Sequence, residues 1–295
     1  MLEAPKRPAS SPFFSSLCTL TVLNRRREQA LGCRNSAMET AISALQTAVP
    51  RFTSLSRGVA DPTARAVGAW SAGDVASHVA SVFENYVSMV EGSDPVLAAS
   101  TAEIGRINAT WLQNDTERDP RAAAARIEAS FERLMERLRG AGEDRPIGWH
   151  AGLTLPLSTV LCLALGEVLV HGHDIGSASK GQWVIPSAEA RTVLEGIIGL
   201  SPYYVNEENA RNFSARYELR IRRGFERILD FDAGRLTIGA PDARADCRIS
   251  ADPVAFLLVA YGRIGIWGPA LSGKLVVWGR KPWLGLKLPS LLRNP

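Results

Sequence analysis

The sequence predicts a two-domain protein in which an antiparallel helical bundle is followed by a small α+β domain. Up to about residue 180, apolar residues recur at intervals of three and four, the spacing of helices that bury one face. From about residue 214, short segments alternate apolar and polar residues between turn residues, which is typical of strands. At 295 residues, with 46% hydrophobic and 22% charged, the chain can form two ordinary domains.

Each helix of the predicted bundle has its own signals. The helices are predicted at residues 38–57, 71–92, 98–113, 119–140 and 155–179. Pro50 lies inside the first and can kink or end it. Ser71 and Asp74 have the spacing of a capping box at the start of the second. Gly166 favours close helix contact in the fifth. Short connections between such helices predict an antiparallel bundle.

The C-terminal half changes in character. A bridging helix is predicted at 187–200, strands at 215–222, 227–231, 235–238, 246–250 and 271–278, and helices at 253–261 and 284–292. The predicted domain limits are 38–180 for the bundle, 181–213 for the bridge and 214–295 for the α+β domain. Residues 1–37 are expected to lie outside the fold, as a disordered segment or a start assigned too early, because Met38 opens the first credible helix.

Charge and cysteine usage restrict the classes of partner. The net charge of +4 is too mild to imply nucleic acid. The segment from Trp267 to Lys287 mixes tryptophans with basic residues, and we expect a solvated surface around a tryptophan-containing core. No run is long and uncharged enough for stable membrane insertion. The four cysteines form no close pair or metal-binding spacing, which predicts reduced thiols in the cytoplasm.

An unusual pair of ionisable residues lies in the apolar segment 161–174. Glu167 and His171 are one helical turn apart and therefore on the same face. A carboxylate flanked by Leu165 and Val168 is costly to bury without a partner. Two interpretations stay open: an ordinary hydrogen-bonded pair, or two ligands that reach one metal ion.

His78 offers a third ligand, because it lies in the apolar stripe of the second helix and the buried faces of a bundle meet. A histidine on an apolar face is by itself more often a core residue. Two imidazoles and a carboxylate nevertheless match a catalytic zinc site with one open position. Asp174 is expected to orient His171 by a hydrogen bond, whereas His173 points off the stripe and is expected to be structural or exposed.

Two segments resemble the signatures of a known family. Residues 70–78, Trp-Ser-Ala-Gly-Asp-Val-Ala-Ser-His, resemble a Trp-x-x-x-Asp-x-x-x-His signature, and residues 167–174, Glu-Val-Leu-Val-His-Gly-His-Asp, resemble a Glu-x-x-x-His-Gly-x-Asp signature. Both are similar to the actinobacterial mycothiol-dependent maleylpyruvate isomerase family over about residues 38–180. The resemblance implies a DinB-like bundle in which His78, Glu167 and His171 bind a divalent metal, usually zinc. Arg106 is a candidate for holding a dicarboxylate substrate.

The C-terminal half resembles a domain that members of this family often carry. Residues 245–256 and 271–279 follow a pattern of strand, helix capped by Asp252 and Pro253, and strand. This pattern is similar to the sterol-carrier-protein type-two-like domain, which implies that an apolar helix could line a lipid tunnel. The alternative, in which these residues only fill a small core, stays open.

The ligand set and the resemblance together predict the chemistry. Zinc with an open position can hold a thiol as its thiolate, and the family uses mycothiol as that thiol. We therefore expect a cytoplasmic isomerase or S-transferase for a small electrophile, with no catalytic residue beyond the metal site. The alternative is a non-catalytic protein that binds a metal, a lipid or another small molecule.

Overall fold

The N-terminal part of the chain is a helical bundle, as the sequence predicts. A computed structural model describes residues 36–242 and 244–293. The expectation that residues 1–37 lie outside the fold therefore concerns, except for residues 36 and 37, a segment outside the described residues. The α-helices here are α1 (Ala37–Arg57), α2 (Ala72–Glu91), α3 (Ile104–Asn114), α4 (Pro120–Arg137) and α5 (Leu157–Ser179). Both α1 and α2 pack against α4 and against α5, so these four helices enclose one core.

Local signals set most of the helix ends. The Ser71 hydroxyl accepts a hydrogen bond from the Asp74 N–H (3.1 Å), and the Asp74 carboxylate accepts one from the Ser71 N–H (2.9 Å), which confirms the capping box. Pro50 lies inside α1 without ending it. The third helix begins later than predicted, because a 3₁₀ turn occupies Thr101–Glu103.

Two short hairpins in the bundle connections were not anticipated. One pairs β1 (Arg65–Val67) with β2 (Trp70–Ser71), and the other pairs β3 (Pro146–Gly148) with β4 (Thr154–Pro156). Each hairpin ends directly before a helix, so the hairpins fix the entry of α2 and of α5. These are the two helices that carry the candidate ligands.

The C-terminal domain is built on one five-stranded mixed sheet. Its strands are β5 (Ala215–Ile221), β6 (Glu226–Asp232), β7 (Arg235–Gly239), β8 (Cys247–Ala251) and β9 (Leu275–Gly279), in the spatial order β7-β6-β5-β8-β9. Only the central β5–β8 pair is parallel. The helices from residue 187 onward are α6 (Ser187–Ile197), α7 (Glu207–Ala210), α8 (Pro253–Ala260), α9 (Trp267–Leu271) and α10 (Leu284–Leu291).

Two expectations for the C-terminal end were wrong. The strand predicted from Leu271 begins only at Leu275, because Trp267–Leu271 forms the short helix α9 and Gly273 turns the chain with a positive φ of 67°. Trp267 and Trp283 do not belong to a core, since both are exposed. Within residues 36–242 and 244–293, no helix combines the length and the apolar character needed to cross a membrane.

Helix α5 is mostly apolar, and α1, α2 and α6 all pack against it. Its glycines allow that packing. A β-carbon at Gly166 would lie 3.2 Å from Val193 on α6, which confirms the predicted close helix contact. A β-carbon at Gly172 would lie 2.2 Å from the ring of Trp183, whose indole N–H donates to the Leu169 carbonyl oxygen (2.9 Å).

The substitution Gly172→Ala should therefore destabilise the fold, because the new methyl group would displace the Trp183 indole. We expect a loss of about 1–3 kcal/mol in the free energy of unfolding, measured by chemical denaturation. The matched control is Gly105→Ala in α3, where a β-carbon meets nothing within 4 Å. The free energy of unfolding of this control should rise by about 0.5–1 kcal/mol. Equal unfolding free energies for the two variants would contradict the close packing at Gly172.

Candidate metal centre

Glu167 is a charged residue in a buried helix, and its partners are imidazoles. Its Oε2 atom lies 3.3 Å from Nε2 of His171, one turn further along α5. Burial alone would raise the pKa of Glu167, but His171 and His78 outweigh this effect and hold the pKa well below its usual range. The carboxylate is therefore ionised, and its side chain is partly exposed.

His78 approaches the same carboxylate oxygen from α2, with Nε2 3.5 Å away. Burial lowers the pKa of His78, so the imidazole is neutral and can act as a ligand. Among the described residues, these three side chains form the one group whose candidate ligand atoms all lie within 4.8 Å of one another. A tetrahedral zinc with bonds of about 2.1 Å has ligand-to-ligand edges of about 3.4 Å, which matches the two distances from Oε2.

Trp70 covers the two imidazoles. Its ring centroid lies 4.9 Å from that of His78 and 6.5 Å from that of His171. Nδ1 of His78 is buried and has no hydrogen-bond partner among the described residues. The tryptophan of the 70–78 segment therefore shields the ligands from solvent on one side.

His171 is oriented by a chain of contacts that leads into the C-terminal domain. Its Nδ1 atom lies 2.9 Å from Oδ2 of buried Asp174, as the spacing predicts. Arg263, which follows α8, donates to the same carboxylate through Nε (3.0 Å to Oδ1) and Nη2 (2.7 Å to Oδ2). Burial lowers the pKa of His171, but Asp174 and Glu167 outweigh this effect and raise it. With Asp174 at Nδ1, Nε2 is the ring nitrogen that faces Glu167 and could bind a metal ion in place of a proton.

Three tyrosine hydroxyls lie close enough to Glu167 for its charge to raise their pKa values. Burial is the larger cause for each, and together the two effects raise the pKa of Tyr204 to about 12. Tyr86 and Tyr261 are shifted in the same direction. Tyr86 comes from α2, Tyr204 from the 3₁₀ turn after α6, and Tyr261 from the end of α8. Elements from both halves of the chain thus contribute tyrosines that stay neutral near pH 7 and are influenced by the Glu167 charge.

The described cysteines are not part of the centre. Cys162 is buried on α5 and its sulfur faces α6, where a β-carbon at Gly196 would lie 2.5 Å from it. Burial raises the pKa of Cys162 to about 12 and that of Cys247 to about 11. Neither thiol forms a nucleophile at neutral pH.

Two other residues singled out in the sequence lie elsewhere. Arg106 is an exposed side chain of α3 that pairs with Glu103 (Nη2–Oε2 3.3 Å) rather than with the centre. His173 is partly exposed and outside the ligand group, in line with its predicted position off the stripe. The basic residue that reaches the centre is Arg263, which sequence reasoning missed because its contact with Asp174 spans 89 residues.

Comparisons with known proteins find two separate matches along the chain. Residues 43–176 match the sequence model of the mycothiol maleylpyruvate isomerase N-terminal domain, and residues 198–293 match that of the SCP-2 sterol transfer family. The chain therefore combines a region similar to the N-terminal domain of mycothiol maleylpyruvate isomerases with a region similar to the SCP-2 sterol transfer family. The first match contains all three candidate ligands and Asp174, and the second contains Tyr204, Tyr261 and Arg263.

Two solved structures share the fold of this chain. A crystal structure of the mycothiol-dependent maleylpyruvate isomerase superposes with a TM-score of 0.52 at 15% identity, covering 81% of this chain and 92% of that one. A variant of that isomerase with a histidine replaced by alanine gives a TM-score of 0.50 at 14% identity, with the same coverage. No curated protein sequence matches the chain.

Removing the Arg263 guanidinium should destabilise the protein, because Asp174 would lose the cation that compensates it in a buried position. We expect Arg263→Met to lower the free energy of unfolding by about 3–5 kcal/mol. The matched control, Arg106→Met, removes an exposed ion pair and should change it by less than about 1 kcal/mol. Chemical denaturation measures both, and similar values would contradict the compensation of Asp174 by Arg263.

The buried thiols should resist alkylation in the folded protein. At pH 8, a pKa of about 12 leaves about one Cys162 in 10⁴ as thiolate, against about a quarter for an unperturbed thiol. We expect iodoacetamide to label Cys162 and Cys247 at least about a hundred times more slowly in the native protein than in denaturant. Peptide mass spectrometry after timed labelling measures this ratio, and rapid native labelling would disprove the burial of these thiols.

Proposed function

We propose that this protein is a metal-dependent enzyme that uses a low-molecular-weight thiol, mycothiol, to isomerise or to modify a small electrophile. The observation that supports this best is the convergence of His78, Glu167 and His171 on one point. Three ligands from two helices leave one position of a tetrahedral ion for an exchangeable group.

The donor set fits zinc better than magnesium or calcium. Two imidazole nitrogens and one carboxylate oxygen are ligands that zinc prefers, whereas magnesium and calcium are bound mainly by oxygens. When bound, zinc would supply Lewis acidity that lowers the pKa of a thiol and so provides a thiolate near neutral pH. The contact of Asp174 with His171 favours the tautomer that such an ion requires.

The thiol is assigned to a small molecule and not to the chain. Cys162 and Cys247 are buried, have raised pKa values and lie outside the ligand group. A diffusible thiol can approach the centre from the partly exposed side of Glu167 and is not limited by the burial of the two cysteines. We assign mycothiol because the bundle matches the mycothiol maleylpyruvate isomerase N-terminal domain.

The reaction balances without a second protein nucleophile. The thiolate sulfur forms a bond to one carbon of a double bond that is conjugated to a carbonyl group, and the electron pair of the broken π bond moves onto that carbonyl as an enolate. The remaining carbon–carbon single bond can then rotate. Expulsion of the thiolate breaks the carbon–sulfur bond and re-forms the double bond in the other geometry. The enzyme would instead be an S-transferase if the adduct took up a proton at the neighbouring carbon and dissociated from the protein as a thioether. The hydroxyls of Tyr86, Tyr204 and Tyr261 would serve as neutral hydrogen-bond donors to the substrate.

The cellular location and the partners of the enzyme can be proposed from its cysteines and its candidate centre. Buried thiols without disulfide partners favour the reducing cytoplasm. The partners we propose are the thiol and a small electrophile. Nucleic acid is not among them.

A second candidate function is supported by an apolar cavity. A cavity of about 130 Å³ lies between the bundle and the sheet domain. It is lined mainly by apolar side chains, which include Leu163, Leu194, Phe225, Leu229, Phe256 and Leu288. This volume is similar to that of an apolar cavity known to hold one benzene, so a short alkyl or aryl group would fit. A protein whose metal is structural or lost could bind a small apolar molecule there.

The two candidates differ in metal content and turnover. We expect about one zinc per chain in the wild type, loss of zinc in Glu167→Gln, and at least about a hundredfold loss of mycothiol-dependent turnover of maleylpyruvate or a related electrophile. Elemental analysis and product chromatography measure both. The matched control is His173→Ala, which changes a neighbouring histidine of α5 outside the ligand group and should keep the zinc.

Metal-free wild-type protein that remains folded and binds an alkyl ligand would contradict the enzyme and favour the second candidate. Zinc that stays bound in Glu167→Gln would place the ion elsewhere in the chain.

A further inference from the structure

The C-terminal end of the protein carries basic residues without any acidic ones. Asp252 is the last acidic residue of the sequence, and residues 253–293 contain six basic residues. They are Arg263, Lys274, Arg280, Lys281, Lys287 and Arg293. The charge of +6 in this segment exceeds the +4 of the whole chain, so the rest of the protein has a net charge of −2. The molecule is therefore electrically asymmetric.

The same segment exposes large apolar side chains. Leu271 is 88% exposed, Trp267 64%, Trp283 63% and Leu286 55%. Trp267 and Leu271 are one turn apart on α9, and Trp283 and Leu286 are three residues apart at the start of α10, so each pair lies on one helix face. We call these four residues the tryptophan patch.

Helices α9 and α10 present the tryptophan patch on one side of the domain. Trp267 and Leu286 line the same cavity, of about 210 Å³, between the two helices and the sheet. Gly285 of α10 packs on β9, where its β-carbon would lie 2.7 Å from Val277. Both helices thus lie at the β9 edge of the sheet and border the same cavity.

Basic side chains outnumber acidic ones among the groups near the patch. The exposed Lys274, at the end of the α9–β9 turn, makes no ion pair with a described residue. Arg222 donates to the Gly273 carbonyl oxygen in that turn (2.7 Å). Arg280 and Lys281 share one carboxylate, Asp246, at 2.6 and 3.3 Å. The surroundings of the patch therefore keep an excess of positive charge.

We propose that the tryptophan patch docks this protein peripherally on an anionic phospholipid membrane. Indole rings and leucine side chains insert at the level of the headgroups, while neighbouring lysines and arginines attract the negative surface. A nucleic acid fits less well, because two of the four side chains are leucines, which do not stack on bases. No described helix can cross a membrane, so the contact is with the surface.

Docking would bring the apolar cavities next to the lipid. The cavity behind Trp267 and Leu286 shares Phe256, Val259 and Leu288 with the cavity between the domains. An apolar molecule that leaves the membrane at the patch would therefore meet a continuous series of apolar walls. This consequence does not depend on the metal centre.

The test uses the full chain with vesicles of phosphatidylcholine that contain about 30% phosphatidylglycerol. We expect sedimentation with these vesicles and none with pure phosphatidylcholine, and we expect binding to weaken as salt is added. The double variant Trp267→Ser with Trp283→Ser should reduce the partition coefficient at least about tenfold. Lys274→Ser should reduce it about fivefold.

The matched controls make the same types of substitution, an exposed apolar or basic residue to serine, at positions away from the tryptophan patch. Val184→Ser alters an exposed apolar residue before α6, and Arg121→Ser alters an exposed basic residue of α4. Both should bind vesicles like the wild type. All the substituted side chains are exposed, and circular dichroism of each variant checks that it is folded.

Three outcomes would overturn the proposal. The first is the absence of binding to anionic vesicles at low salt. The second is unchanged binding by the tryptophan double variant, which would place the membrane contact elsewhere. The third is a dimer in sedimentation equilibrium that the double variant abolishes without vesicle binding by either form, which would make the patch an interface between two copies.

Discussion

The organisation of this protein depends on the cost of placing the Glu167 carboxylate in a buried apolar helix. A lone carboxylate there would take up a proton, whereas two imidazoles keep it ionised. One imidazole comes from the next turn of the same helix, and the other must come from α2. Electrostatics therefore favours the observed register of α5 against α2 together with packing, and this register brings Trp70 over the two imidazoles.

A second constraint is that the centre is built by both domains. The bundle supplies the three candidate ligands, and the C-terminal domain supplies Arg263 and Tyr261. Gly166, directly before Glu167, leaves space for Tyr261, whose hydroxyl would lie 2.9 Å from a β-carbon at that position. The sheet domain therefore contributes side chains to the surroundings of the candidate site.

The sequence was most informative where the interactions are local. The capping box, the helix positions and the Glu167–His171–Asp174 spacing depend on residues within a few positions of each other, so they could be predicted. His78 could be added because it shares an apolar stripe with the core face of its helix. The contact of Arg263 with Asp174 could not be predicted, because no local sequence pattern marks the partner of this arginine. The exposure of Trp267 could not be predicted either, because the exposure of a tryptophan depends on the tertiary fold. Helix α9 was missed because five residues give too short a pattern.

The contact between Arg263 and Asp174 also has a consequence for how the protein is made. A ribosome that adds about 5–20 residues per second delivers Arg263 roughly 4–18 seconds after Asp174. During that interval all residues of the bundle have been synthesised, but the Asp174 carboxylate has no guanidinium to pair with. His171 then contacts an Asp174 that Arg263 does not yet hold in place. The last step in assembling the candidate centre is therefore the arrival of the second domain, so a chain truncated before Arg263 would carry all three candidate ligands without the Arg263–Asp174 contact.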